Sequence, residues 1–129
     1  MIFSVTLPAQ VAAGADAVAV AGVYSQAFYS GDTVTDIQIV APAGYPTVNG
    51  AATNNVTFSV RQLRAGAVVS TLGTLVLGSG TTLSAEQAVS VPIAVQPILE
   101  AGDVLDVLMH QNALGQAISA GLIVSVFVS

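Results

Sequence analysis

Asn55-Val-Thr-Phe-Ser-Val-Arg-Gln-Leu-Arg-Ala-Gly-Ala-Val-Val-Ser-Thr-Leu-Gly-Thr-Leu-Val-Leu77 is the stretch from which the fold can be read. Val56, Phe58 and Val60 fall on one side of an extended chain, and Thr57, Ser59 and Arg61 on the other. A period of two marks a half-buried strand. Ala65-Gly66 offers a reversal, and Val68 to Leu77 supplies a second β-rich run. The stretch therefore predicts a β-hairpin. It also holds both basic residues of the chain, Arg61 and Arg64.

The same alternation recurs on either side. Ile2–Leu7, Ala17–Tyr24, Thr33–Val40, Ala88–Val95, Val104–Gln111 and Leu122–Val128 each read as strands, separated by Gly-, Pro-, Asn- and Asp-rich turns. Leu105, Val107 and Met109 are expected to point inward, with Asp106, Leu108 and His110 on the opposite face. Pro92 marks an edge position or a bulge, because proline cannot donate to a ladder. Residues 41–54 read as a long loop, and 81–87 as a turn or a single helical turn. About eight strands without an amphipathic helix predict an all-β, single-domain antiparallel sandwich over residues 1–129, jelly-roll-like in its wrapping. An immunoglobulin-like sandwich is the alternative. Residues 1–17 admit a second reading, as an N-terminal arm reaching onto a neighbour.

Composition narrows the function. Charged residues make up 7% of the 129 and hydrophobic ones 53%, against a usual charged share of ~25%. The net charge of −5 and the absence of lysine argue against nucleic-acid binding and against an acidic membrane surface. The uncharged run 65–85 is broken by glycines and rich in Ser and Thr, unlike a membrane-spanning helix. Without cysteine there is no disulfide or thiolate metal site. Met1 to Pro8 has no basic leader character, so a cytoplasmic product is expected. So little charge suggests a surface sheltered by copies of the chain or by a larger body.

Candidate chemistry is sparse. His110 has Asp106 four residues earlier on the same strand, ~13 Å away and out of hydrogen-bond reach. Asp32 with Asp36, and Glu100 with Asp103 and Asp106, are acidic groups that could suit a glycosidase or a calcium ion near Asp103. The plainer reading is turn chemistry at Gly31-Asp32 and Gly102-Asp103. No catalytic residue, metal or cofactor is assigned. Arg61 and Arg64, three apart, should face opposite sides, one paired with an acid and the other exposed at an interface. Tyr24, Phe28, Tyr29 and Tyr45, in or near loops, are the further interface candidates.

Three segments carry a family resemblance: Val56 to Val69 with its Arg-Ala-Gly, Leu99 to Val107 with its Ala-Gly-Asp corner, and Gly121 to Ser129, where the chain stops on a strand. Together they resemble the small decoration, or cement, proteins on the heads of tailed bacteriophages. The resemblance covers about the last 75 residues. It implies a jelly-roll-like homotrimer on the capsid exterior that clamps the major capsid protein, with no catalytic residues. The expected setting is then the virion, after assembly in the host cytoplasm. The alternatives are a receptor- or carbohydrate-binding module and another virion subunit, such as a capsid or tail-tube component.

Overall fold

The hairpin is present and lies at the centre of a larger one. The structure, a computed structural model, describes residues 1–25 and 30–129. Its strands are β1 (Ile2–Thr6), β2 (Ala17–Val23), β3 (Val34–Val40), β4 (Val48–Asn49), β5 (Asn55–Arg64), β6 (Ala67–Val76), β7 (Thr82–Leu83), β8 (Ala88–Ser90), β9 (Val104–Asn112) and β10 (Ile123–Val128). β5 pairs with β6, β4 with β7, β3 with β8, β2 with β9 and β1 with β10, all antiparallel. Each pair encloses the next, so the chain is one long ribbon folded back on itself at Ala65-Gly66. Two further pairings, β10 with β3 and β9 with β5, roll the ribbon into two four-stranded sheets. Their orders are β1-β10-β3-β8 and β2-β9-β5-β6. The result is an antiparallel β-sandwich.

The tip is chemically specific. Ala65 and Gly66 both have positive φ, 51° and 80°, between the paired Arg64 and Ala67. A two-residue hairpin with both central residues in this region matches the right-handed twist of its strands. Glycine adopts it freely, whereas alanine is strained there.

The core lies between the sheets. Ile37, Ile39, Val124 and Val126 come from the first sheet, and Phe58, Val60, Leu72, Leu105, Val107 and Met109 from the second; all are buried. The alternation read from the sequence is the alternation seen, and the expected faces of β9 hold. Burying each such side chain stabilises by about 1.5–3 kcal/mol before entropy is counted. Pro92 falls where the chain leaves the edge strand β8 and changes sheets. The Pro92 carbonyl then accepts from Thr74 N at 3.2 Å, and Ala94 N donates to Leu72 O at 2.8 Å, which covers the free edge of β6.

Some expectations need correction. The loop at 41–54 and the turn at 81–87 each contain a two-residue strand, β4 and β7, which pair as a third small ladder. Residues 1–17, also weighed as an arm, place β1 along β10 of the same chain over five residues. The Met1 amino group donates to Val128 O at 2.9 Å. Tyr24 and Tyr45 are core residues rather than interface residues. Tyr24 Oη donates to Asp32 at 2.8 Å, and Tyr45 Oη donates to Ser119 O at 2.8 Å. With the hydroxyls satisfied, both rings can be buried at little polar cost. Phe28 and Tyr29 lie outside the described residues.

Strain at the tip gives the first test. Ala65→Asn should stabilise the protein by about 0.5–1 kcal/mol, because Asn-Gly suits this turn better than Ala-Gly. Urea unfolding of the two proteins measures it.

Candidate functional site

Strands β5 and β9 run side by side through the middle of the second sheet, and their register brings Arg61 opposite Asp106. Arg61 Nε and Nη2 donate to the two Asp106 oxygens at 2.8 and 2.7 Å, a bidentate fork on the outer face of the sheet. The Asp106 side chain is 4% exposed and that of Arg61 19%. Charge-assisted paired bonds of this kind fix geometry as well as adding energy.

Arg64 sits at the end of β5 on the other side of the strand, near the corner at residues 100–103. Its Nε and Nη2 reach the Asp103 oxygens at 2.9 and 3.0 Å. Gln62 Nε2 and the Glu100 backbone N also donate to Asp103 Oδ2, at 2.6 and 2.8 Å. The fully buried Asp103 carboxylate is thus held by four donated bonds. The Arg64 guanidinium, opposed by burial and helped by the neighbouring donors, holds its pKa down at about 2. The same contact raises Arg64 above its ordinary value. Gln62 Oε1 finds no partner among the described residues, a polar cost of placing an amide beneath this carboxylate.

The two arginines do face opposite sides, as their spacing implies. Both, however, are engaged by acids of their own chain. Arg64 keeps 42% of its side chain exposed and has Glu100 at 3.4 Å as a second acid, so it is the more accessible of the two. Asp32 accepts from Tyr24, and Asp36 accepts from Gln38 and from Ile37 N. His110 does not approach Asp106; its Nδ1 lies 2.6 Å from Asp16 Oδ1, with both side chains about half exposed. Among the described residues no three of His, Cys, Asp and Glu converge as metal ligands. No helix there is long and apolar enough to cross a membrane.

Around the Arg61–Asp106 pair lies a surface the sequence reading missed. On the outer face of the second sheet, Val23, Val104, Leu63 and Val68 form one row across all four strands. Val18 beside Leu108, Val20 beside Asp106, and Val76 beside Thr57 continue it. Val18, Val20, Val23, Val68 and Val76 are each about half exposed. The outer face of the first sheet is different. There Ser4, Ser125, Gln38 and Ser90 form the middle cross-strand row, with Ser4 Oγ 3.1 Å from Ser125 Oγ and Gln38 Nε2 donating to Ser90 Oγ at 3.0 Å. Of the apolar side chains in the flanking rows (Ile2, Phe127, Ile123 and Val40), only Ile2 is exposed. Val11 and Leu114, the most exposed apolar residues, lie apart from both faces on loops at one end of the sandwich. The signal for the apolar face was present in Ala17 to Val23, where apolar residues occupy both alternating sets.

Comparison of the chain with protein-family models, with curated proteins and with solved structures gave no match.

Two tests follow from the ion pairs. Asp103 is depressed in the folded state from an unfolded value of ~3.9, so its stabilisation is complete above about pH 4. It is lost as the pH falls through about 2. With Arg64 partly exposed, this loss should amount to about 1–2 kcal/mol and be smaller in Asp103→Asn, as read from unfolding free energies between pH 5 and 2. Arg61→Ala leaves the buried Asp106 carboxylate unpaired. It should cost about 2–4 kcal/mol, more than Arg64→Ala. Urea midpoints of the two variants decide the order.

Proposed function

We propose that this protein is a non-enzymatic virion structural protein that decorates and stabilises a bacteriophage head by binding the major capsid protein. In this reading it acts as a homotrimer on the capsid exterior, after assembly in the host cytoplasm. The observation that carries the proposal is the distribution of apolar surface on a rigid all-β body. Exposed valines gather on the outer face of the second sheet, at Val18, Val20, Val23, Val68 and Val76, and further exposed apolar side chains stand at Ile2, Ile98, Val11 and Leu114. Both basic residues are tied into internal ion pairs. A free protein keeps itself apart from others by interspersed exposed charge, so this surface suits a chain covered by its own copies and by a shell.

The mechanism asked of it is mechanical. A clamp must hold its shape under load, and an antiparallel sandwich joined at both ends of the ribbon resists opening because its pairings are non-local. The bidentate Arg61–Asp106 fork adds a cross-link between the two central strands of the second sheet. The receptor- or carbohydrate-binding alternative relied on Tyr24, Phe28, Tyr29 and Tyr45 being exposed together. The burial of Tyr24 and Tyr45 removes half of that set.

Purified protein mixed with undecorated heads of a tailed phage should appear by electron microscopy at regular positions on the shell and raise the temperature at which the heads release DNA. Binding to glycans without binding to heads would overturn the proposal.

A further inference from the structure

An antiparallel sheet that packs one face on the core turns polar side chains outward on the other when that face meets water. The first sheet follows this rule in its Ser4–Ser125–Gln38–Ser90 row, with Ile2 the one exposed large apolar side chain among the described residues of that face. The second breaks it through the Val23–Val104–Leu63–Val68 row and the valines of β2, which flank Thr57, Ser59, Thr71, Thr74 and the Arg61–Asp106 pair on the same face. The two outer faces belong to one small sandwich, so the difference lies in what each face meets.

We propose that the outer face of β2-β9-β5-β6 is the surface through which two copies of this chain associate, sheet against sheet. Area supports a second copy. Four strands ~4.8 Å apart, averaging about nine residues at ~3.3 Å each, present a face of roughly 600 Å². Two such faces bury about 1,200 Å², the lower end of what a specific protein pair needs. Charge supports it as well. Of the seven acids, only Asp106, cancelled by Arg61, and Asp16, beside His110 at one corner, lie on or next to this face. Asp36 is on the outer face of the opposite sheet, and Asp103 and Glu100 are at the corner with Arg64. Two copies, each at −5, can therefore meet here without setting acid against acid. The Arg61–Asp106 fork enters the interface already paired, so its burial leaves no charge without a partner.

Two like faces meeting in this way close a two-fold pair, a contact additional to the threefold one of the proposed function. The inference rests on that reading only in taking the chain to self-associate, and binding to a shell is read in a separate assay. Sedimentation equilibrium of the intact chain, from low to high micromolar concentration, should show a mass rising above the 12.9 kDa monomer. The association should hold or strengthen in ~1 M salt, where exposed charge pairs are screened. Val18→Asp and Val68→Asp, on strands at opposite edges of the face, should each weaken it by about tenfold or more. Ser4→Asp, on the opposite sheet, should leave it unchanged. Circular dichroism establishes that each variant is folded, and if one fails to fold the other carries the test. A wild-type mass of 12.9 kDa throughout overturns the inference. So does equal association of both Asp variants, or equal weakening by Ser4→Asp. Head binding by a monomeric wild type would sink this inference and the homotrimer while leaving decoration of the head standing.

Discussion

Everything in this sandwich depends on one constraint: the two halves of the chain must pair with each other around Ala65 and Gly66. The hairpin there sets β5 against β6, and every outer pair extends the same ribbon. Register at the tip therefore passes outward. A one-residue slip would turn Phe58, Val60 and their partners to solvent and bring Arg61 inside. The bulges near Val60–Arg61 and Gln62–Leu63 show the ribbon adjusting its twist where it rolls over. Asp106 and Asp103 act in the same place. They bind Arg61 and Arg64 of β5 and make any other alignment with β9 costly, because a shifted register would strand a buried carboxylate.

Much of this was legible in the residues, for a local reason. Alternation over six or more positions reports which side of a strand is buried, and Ile37/Ile39, Val56/Phe58/Val60 and Leu105/Val107/Met109 all obey it. β4 and β7 escaped because two residues cannot display a period. Tyr24 and Tyr45 were misjudged because a tyrosine near a turn looks the same whether or not its hydroxyl finds a partner. One partner, Asp32, is eight residues away, and the other, the Ser119 carbonyl, is 74 away. The ion pairs span 45 and 39 residues. No local pattern announces such pairs, although two arginines among seven acids made an acidic partner the natural expectation.

The apolar sheet face was overlooked for a different reason. In β2, Val18 and Val20 alternate with alanines, and hydropathy alone would put the valines inside. They are the outer set, and Ala17 and Ala19 pack against the core. In a strand built only of Ala, Val and Gly, both faces are apolar and the period names neither. The ambiguity itself is informative, because an edge strand without a polar side is suited to being covered on both.

The nested ribbon also sets an order of events as the protein is made. The innermost hairpin can close soon after it is complete, but Ile2 must wait for Phe127 before its strand has a partner. At about 5–20 residues per second, that wait is roughly 6–25 s. Throughout it the nascent chain carries an unpaired β1 and the valine-rich β2. Folding therefore runs from the middle outward, and the first strand made is among the last to find its place.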